Sequence, residues 1–240
     1  MAATKIEVPY DGQLETLDDL SEAVYYNRWI YNLMKPHLGR RVLELGCGIG
    51  NMTELLSDGR TVLGLDAHPT YLSLAKKKMS QKNNVSFQRV DLSKSFLLFK
   101  KFKPDTIVCS NVLEHIDDDG RFLKICSKLL SKRGRLLIFV PALPSLYGSM
   151  DETYGHYRRY TKKDLEKKVK FTGFLIPQCR YLNLLGVFGW WLNGKVLRKK
   201  VVPKGQLLLY DKIVRFVMIV EKWLPKPIGL SLFCVCEKND

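Results

Sequence analysis

Three glycines spaced two residues apart, Gly46, Gly48 and Gly50, lie at and just after the end of an apolar segment, residues 41–46. Glycine has no Cβ and tolerates positive φ, so a turn of this composition lets the backbone come into contact with a ligand. A nucleotide-like cofactor is therefore expected at this turn. The spacing does not match the dinucleotide fingerprint Gly-x-Gly-x-x-Gly, because Asn51 directly follows the third glycine.

Two acidic residues near this turn are candidates for holding such a cofactor. Asp66 ends the next apolar segment, residues 61–66, where an acid can accept hydrogen bonds from both ribose hydroxyls. The alternative is that Asp66 is an acid at the start of the helix that Pro69 begins. Glu44 lies inside the first apolar segment, and because a buried carboxylate is costly without partners, we expect it to be functional.

A polar and aromatic segment, residues 144–161, contains four tyrosines, two arginines, one histidine and two acids. Such a composition favours a binding surface over filler. His156 and Asp151 are candidates for a general base, and His156 is the side chain of this segment that titrates near neutrality without assistance. The candidates for binding a substrate, which would be the acceptor in a group-transfer reaction, are Tyr147, Tyr157, Arg158 and Arg159. The alternative is a hydrogen-bonded loop that holds residues 183–229, an insertion before the last predicted strand, against the core.

Strand-like and helix-like segments alternate along residues 41–141. The periodicity predicts strands at 41–46, 61–66, 85–91, 105–110 and 135–141, with helices from Asn51, at 69–82, near 95–101 and at 117–131. Helical segments are also predicted at 14–37 and 162–172, and strand-like segments at 174–182 and 230–237. Alternating strands and helices imply a doubly wound α/β sheet with helices on both faces.

Three motifs resemble those of class I S-adenosylmethionine-dependent methyltransferases. The run Glu-x-Gly-x-Gly-x-Gly that begins at Glu44 resembles their first motif. The run Asn-Val-Leu-Glu-His that begins at Asn111 resembles a segment common in members that methylate small molecules and lipid quinones. Residues 144–161 resemble a bacterial-type branch with Gly-His-Tyr-Arg-Arg-Tyr-Thr after the fifth strand. The resemblance covers nearly the whole chain, and it implies a seven-stranded, mostly parallel sheet whose last two strands form an antiparallel pair.

The resemblance implies S-adenosylmethionine (SAM) as the cofactor and S-adenosylhomocysteine as its product. Glu44 would organise the methionine end, and Asp91 with Leu92 would contact the adenine amino group, the alternative being that Asp91 caps a turn at Ser93. His115 would be a base near the methyl group or would only pack. The implied cofactor-binding residues are Tyr26, Glu44, Gly46, Cys47, Gly48, Gly50, Asp66, Ala67, Asp91, Leu92 and Asn111.

The length of 240 residues suits one domain. The predicted organisation is N-terminal lid helices at 1–38, a SAM-binding core at 39–182, a helical insertion at 183–229 and the last strand at 230–240. The N-terminus lacks the basic-then-apolar pattern of a secretion signal, and no apolar run reaches the ~18–20 residues that cross a bilayer. We therefore expect neither secretion by that route nor a spanning segment.

Six cysteines are scattered through the chain, mostly in apolar strand-like segments. A thiol in such a segment behaves as a small hydrophobic group, so a reduced, cytoplasmic protein is expected. Cys234 and Cys236 would share one face of a strand, and no second Cys/His pair has a zinc-like spacing. The sequence therefore predicts no metal site.

The net charge of +15 divides into +5 for residues 1–150 and +10 for residues 151–240. Such a bias attracts nucleic acid, anionic lipid headgroups or phosphorylated substrates. The insertion joins an aromatic run at 184–192 to basic residues at 195–200 and a second apolar segment at 207–224. It covers an apolar acceptor pocket and one face of the sheet, or lies on an anionic membrane surface, or does both.

We therefore expect SAM-dependent methylation of a small-molecule or lipid-linked acceptor. One alternative is an RNA-associated methyltransferase, which the basic charge favours. Nucleic acid is the less favoured partner, since no RNA-binding domain is recognisable and the aromatic residues cluster with aliphatic ones. The other alternative is a non-catalytic regulator that binds SAM.

Overall fold

A computed structural model describes residues 18–19, 21–223 and 227–239. Seven strands form one sheet: β1 (Arg41–Leu45), β2 (Thr61–Asp66), β3 (Val85–Arg89), β4 (Thr106–Ser110), β5 (Arg135–Pro141), β6 (Phe174–Leu182) and β7 (Ser231–Lys238). The helices are α1 (Val24–Met34), α2 (Asn51–Leu56), α3 (Pro69–Lys78), α4 (Asp119–Leu129), α5 (Ser149–Thr153), α6 (Lys162–Phe171), α7 (Leu184–Trp190) and α8 (Lys204–Trp223). Each predicted strand is confirmed, with small differences at the ends.

The strand order is β3-β2-β1-β4-β5-β7-β6. The first five strands run parallel, and β7 is antiparallel to both β5 and β6. The predicted fold class, a doubly wound and mostly parallel sheet with an antiparallel last pair, is therefore confirmed. The chain runs outward from β1 in both directions, so β1 and β4 mark the switch point where open α/β sheets bind ligands.

Successive residues of the central strands pack into two cores, one on each face of the sheet, and the phenylalanine of β3 packs in a third, smaller cluster. Leu43 of β1 packs on one face with Phe122 of α4. Val42, the preceding residue, packs on the other face with Trp29 and Ile30 of α1. Each such side chain contributes about 1.5–3 kcal/mol on burial. The predicted N-terminal lid is therefore also part of the core, through α1.

Two predicted helices are shorter than the sequence indicates. The helix predicted at 117–131 begins only at Asp119, because Asp118 caps it and its Oδ1 accepts the Arg121 N–H at 2.9 Å. The helix predicted at 69–82 ends at Lys78. Hydrophobic spacing locates a helix but does not detect the hydrogen bond that ends it.

Two other helical predictions change in kind or in extent. The helix predicted near 95–101 is a 3-10 helix, Leu97–Phe102. The described part of the segment predicted at 14–37 contains α1 and a 3-10 turn, Lys35–His37, where proline ends the helix. Residues 14–17 and 20 lie outside the described residues.

The insertion predicted at 183–229 is helical over most of its described part. Helix α7 continues into a π-helical turn at Trp191–Val196, and α8 packs along α1. Asp211 of α8 is buried, and its Oδ1 accepts the Tyr26 N–H at 2.7 Å. The insertion therefore covers the face of the core that carries α1. Among the described helices, none combines the length and the apolar character needed to cross a bilayer.

The structure corrects the expectation that all cysteines are reduced. Cys179 and Cys234 form a disulfide between β6 and β7, with Cα atoms 4.2 Å apart. The two residues face each other in the antiparallel register, a proximity that the periodicity of a single strand does not reveal. Cys236 shares a core with Cys234, as predicted. The free cysteines are Cys47, Cys109, Cys126 and Cys236.

Thiol titration of the denatured protein is expected to detect four free cysteines before reduction and six after it. Cys234→Ala is expected to lower the free energy of unfolding by about 2–4 kcal/mol without reductant, because the disulfide closes a long loop in the unfolded chain. Cys126→Ala removes a buried but unlinked thiol, so its cost should not depend on reductant. Six reactive thiols without reductant would contradict the disulfide.

Candidate cofactor cleft and acceptor-side cluster

A cleft opens where β1 and β4 end, beside the N-terminal half of α1. Its walls come from α1, the glycine turn, the start of α2 and the end of β4. Six residues predicted to bind the cofactor line it: Tyr26, Glu44, Gly46, Cys47, Gly48 and Asn111. The sheet topology and the sequence motif therefore identify the same place.

The glycine turn is shaped by contacts that leave no room for a side chain. Gly46 has a φ of +68°, and a Cβ on it would lie 2.4 Å from Cγ2 of Val112. The Gly48 N–H donates to Oδ2 of Asp66 at 2.8 Å. The turn therefore presents main-chain atoms to the cleft, and it suits a ligand that binds by close approach to the backbone.

Asp66 supports the glycine turn from the end of β2. Its Oδ1 accepts the N–H of His68, the residue before α3, at 2.9 Å. Burial raises the pKa of Asp66, and its hydrogen bonds to the His68 and Gly48 amides oppose that rise. The contact with His68 therefore agrees with the alternative that Asp66 is an acid at the start of a helix. Each carboxylate oxygen still has a second lone pair, so the role toward ribose hydroxyls stays a prediction.

Asp66 and the other predicted cofactor residues lie outside the lining of the cleft, although Asp66 holds the glycine turn that lines it. Gly50, with a φ of +87°, directly precedes α2, and Ala67 is exposed. Asp91 is exposed and accepts hydrogen bonds from the Ser93 N–H at 3.0 Å and from its hydroxyl at 2.6 Å. The capping alternative therefore describes the contacts of Asp91. Leu92 packs in the core.

Glu44 is a buried acid in the lining of the cleft. Its Oε2 accepts a short hydrogen bond from the hydroxyl of Thr53. Burial raises the pKa of Glu44 to about 8, the Thr53 hydrogen bond opposes the rise, and the charge of Asp66 adds to it. A cationic group in the cleft would lower the cost of ionising Glu44, so this residue suits an ammonium or sulfonium group.

Asp151 is buried in the loop after β5, and its carboxylate accepts four hydrogen bonds. The donors are Nδ1 of His156 (2.8 Å), Nε of Arg159 (2.8 Å), the indole of Trp190 (3.3 Å) and the N–H of Gly148 (3.1 Å). Burial alone would raise the pKa of Asp151, but the His156 hydrogen bond and the Arg159 charge hold it below its usual value. A carboxylate so engaged positions its neighbours, so the clamp interpretation describes Asp151.

The two arginines predicted to bind the acceptor are both paired within the protein. Arg159 is buried, donates to the Ala142 carbonyl at 3.0 Å and lies 4.4 Å from the ring centroid of Trp190. Arg158 pairs with Asp119 at 2.9 Å. Arg159 therefore joins Asp151 in the clamp, because Trp190 belongs to the insertion and Ala142 to the core.

The two tyrosines predicted to bind the acceptor lie nearer the surface. Tyr157 is 59% exposed, and its N–H donates to the Glu114 carbonyl at 2.8 Å. Tyr147 is partly buried, and its hydroxyl donates to the His156 carbonyl at 2.7 Å. Burial raises the pKa of Tyr147, and the charge of Asp151 adds to the rise. Both tyrosines therefore flank the histidine that the sequence singles out.

Glu114, His115 and His156 converge next to Asp151. One ligand atom from each lies within 4.8 Å of the other two, and the histidine rings meet edge to face at 4.7 Å between centroids. Burial raises the pKa of Glu114 to about 8. Burial and the neighbouring His156 lower the pKa of His115 to about 4. His115 is therefore neutral near pH 7 and a weak base.

Sequence reasoning named both histidines of this cluster but missed three of the residues around them. Glu114 directly follows two apolar residues, and Trp190 lies in a segment interpreted as an apolar and aromatic surface. Asp119 is buried and accepts hydrogen bonds from the hydroxyl of Tyr160 at 2.9 Å and from Nζ of Lys168 at 2.7 Å. An acid directly after a buried strand and two apolar residues, as at Glu114, was the available signal.

A family model described as a methyltransferase domain matches residues 43–136. The ubiquinone biosynthesis O-methyltransferase of Coxiella burnetii is 33% identical over 100 residues, which cover 41% of this chain and 42% of that protein. The match therefore spans about two fifths of the length of this curated relative.

Solved structures extend the similarity over most of the chain. A SAM-dependent methyltransferase from Mesorhizobium loti matches with a TM-score of 0.63 and 16% identity, over 88% of this chain and 98% of that one. The chain has the class I methyltransferase fold. Phosphoethanolamine N-methyltransferase 2 of Haemonchus contortus, solved in complex with SAM, matches with a TM-score of 0.61 and 18% identity, over 92% of this chain and 57% of that one.

The raised pKa of Glu44 predicts a pH dependence of stability in the ligand-free methyltransferase fold. The folded protein holds this proton up to about pH 8, whereas the unfolded chain releases it near the ordinary glutamate pKa of 4.5. The contribution of Glu44 to stability is therefore fully present below the unfolded-state pKa of 4.5, and it is lost as the pH rises through the folded-state pKa of about 8. Glu44→Gln is expected to unfold with a free energy ~1–3 kcal/mol above wild type at about pH 8.5.

The measurement is urea unfolding of both proteins across this pH range. The two curves should converge toward about pH 5, where Glu44 is protonated in wild type. Glu54→Gln, which changes an exposed acid of α2, is the matched control and should follow wild type. Parallel curves for wild type and Glu44→Gln would contradict the burial of an acid with a raised pKa.

Proposed function

We propose that the chain binds SAM in the cleft at β1 and β4 and transfers the methyl group to an oxygen of a small-molecule or lipid-linked acceptor. The observation that carries the proposal is the meeting, at the switch point of the sheet, of the crowded glycine turn with Glu44 and Asp66. The matched methyltransferase domain supports the reaction class, and the O-methyltransferase relatives support an oxygen acceptor.

The residues of the cleft fit the polar parts of SAM. The carboxylate of Glu44 suits the α-ammonium group, whose positive charge would offset the cost of ionising a buried acid. The oxygens of Asp66 have lone pairs for the ribose hydroxyls. The main chain at Gly46 and Gly48 lets a ligand approach to contact distance. Of the predicted contacts, those of Asp91 and Leu92 to adenine have the least support.

The bound cofactor would supply an electrophilic methyl group on a sulfonium. The tasks of the chain are to align the acceptor oxygen with that carbon and to exclude water. The loop with Tyr147 and Tyr157 and the insertion close the acceptor side, and Asp151 ties these two segments together. A neutral hydroxyl acceptor must also lose its proton, and the groups that could assist converge at Glu114, His115 and His156.

The surface of the insertion supports an acceptor that is carried by lipid. Trp190 is tied to Asp151, whereas Phe188 and Trp191 are 63% and 45% exposed. Exposed basic side chains follow at 195 and 198. Aromatic rings at headgroup depth with nearby cations suit an anionic membrane surface. Helix α7 carries Phe188 of this surface and also Trp190, which is bonded to Asp151 in the loop after β5. We therefore propose that membrane contact presents the acceptor to the cleft.

Titration calorimetry tests the cofactor half of the proposal. Wild type is expected to bind SAM, and Asp66→Ala should weaken binding ~10–100-fold, because hydrogen bonds from two ribose hydroxyls to a charged acceptor are lost. Gly48→Val should abolish binding by filling the turn. Asp58→Ala changes an exposed acid elsewhere and should bind like wild type. Unchanged affinity in both cleft variants would remove the site from the cleft.

Transfer of labelled methyl from SAM tests the acceptor half. Label is expected in a metabolite or lipid extract and absent from total RNA. Label in RNA would favour the RNA-associated alternative, and SAM binding without transfer to any fraction would favour the regulator.

Sedimentation with vesicles tests the membrane contact. Vesicles containing phosphatidylglycerol are expected to retain the protein at low salt and to release it at high salt. The double variant Phe188→Ser, Trp191→Ser should be retained ~10-fold less, because both rings leave the interface. Phe171→Ser removes a ring that is 80% exposed on α6 and is the matched control. Equal loss in the control, or no retention of wild type, would refute the contact.

A further inference from the structure

Glu114, His115 and His156 form a group with the composition of a metal site. Each offers one ligand atom, and these atoms lie within 4.8 Å of one another. Two imidazoles and one carboxylate on one side of an ion leave further positions open, an arrangement typical of divalent first-row transition metals. The acid and one histidine are adjacent in the chain, whereas the second histidine comes from the loop after β5, so the fold assembles the group.

The second observation is the state of the Glu114 carboxylate. The side chain is fully buried, and neither Oε1 nor Oε2 has a hydrogen-bond partner among the described residues. A buried polar group without a partner costs free energy, and a carboxylate costs more than a neutral group. A cation at this point would supply the missing partner.

The orientation of His156 is set by its contact with Asp151. The Asp151 carboxylate also accepts from Arg159, Trp190 and Gly148, so it acts as an acceptor toward the ring and His156 Nδ1 carries the hydrogen. The lone pair of His156 then lies on Nε2. Metal-binding histidines commonly have their other ring nitrogen held by a carboxylate, which fixes the orientation of the ring.

His115 and the local charges complete the site. The ring of His115 is hydrogen-bonded to the backbone at Gly155, which leaves its second nitrogen for a ligand. Asp151 and Glu114 carry two negative charges when ionised, and the buried Arg159 supplies one positive charge. Arg159 balances the charge of Asp151, so a bound divalent cation would face the negative charge that Glu114 gains when the cation displaces its proton.

We propose that Glu114, His115 and His156 bind a divalent transition-metal ion, and that an open coordination position takes the acceptor oxygen. The second part rests on the proposed function. Asn111 lines the cofactor cleft and Glu114 follows it by three residues, in the 3-10 turn Leu113–His115. The metal would therefore lie on the acceptor side of the cleft, close to the end of β4.

The metal would assist transfer by making the acceptor hydroxyl more acidic. The hydroxyl releases its proton to solvent, and the resulting oxyanion forms the new O–C bond to the methyl carbon. The C–S bond breaks, its electron pair stays on sulfur, and the sulfonium becomes the neutral thioether of S-adenosylhomocysteine. The metal keeps its charge throughout, so no oxidant or reductant is required.

Metal binding is tested on the full chain without SAM or acceptor. Calorimetry with Zn²⁺ is expected to give one tight site, and Co²⁺ should give a visible absorption band from nitrogen and oxygen ligands. Glu114→Gln and His156→Ala are each expected to weaken Zn²⁺ binding ~100-fold or more, since losing a ligand should cost more than the ~10–100-fold effect of losing a residue that only orients a ligand. Glu114→Gln keeps the side-chain shape, so circular dichroism should show an intact fold.

His37→Gln is the matched control, because His37 lies after α1 and outside the cluster. It should bind Zn²⁺ like wild type. The proposal is overturned if wild type shows no site, or if the folded Glu114→Gln and His156→Ala variants bind Zn²⁺ as tightly as His37→Gln. Removal of metal by a chelator should also stop methyl transfer without weakening SAM binding. Failure to bind SAM would instead refute the proposed function and leave the Zn²⁺ result standing.

Discussion

The buried carboxylate of Asp151 is the interaction on which the acceptor side of the molecule depends. It joins the loop after β5, through His156 and Arg159, to the insertion, through Trp190. Breaking such a buried network by removing one partner leaves an uncompensated charge. A change in the orientation of His156 is therefore expected to alter the packing of α7, because both depend on Asp151.

The cofactor side is built on a different principle. There the glycine turn and the ends of β1 and β4 lie between two well-packed cores, so backbone position is determined by the sheet. Asp66 adds one carboxylate that holds the turn through Gly48. The molecule thus combines a candidate cofactor cleft, which the sheet positions, with a proposed acceptor side assembled from segments distant in sequence. Differences between relatives in acceptor should concentrate on the second part.

The sequence predicted the sheet well because strands that are buried on both faces appear as short continuous apolar runs, as at 135–141. It predicted Glu44 from the cost of burying an acid, and the same argument applied to Glu114 would have identified the third member of the histidine cluster. Helix ends depended on single hydrogen bonds, such as the Asp118 cap. The pairing of Cys179 with Cys234 depended on strand register, and the partners of Asp151 on contacts about 40 residues apart. Helix ends, the disulfide and the partners of Asp151 produce no periodic pattern of hydrophobic residues, so the sequence alone did not reveal them.

The bond between Cys179 and Cys234 has a topological consequence for the insertion. The two cysteines bracket the whole of it, so α7, α8 and the segment between them lie in a covalently closed ring whose ends are joined at the neighbouring strands β6 and β7. A protease that nicked this ring would leave two fragments attached until a reductant separated them. The disulfide therefore keeps the two ends of the insertion in register at the edge of the sheet, wherever the helices between them lie.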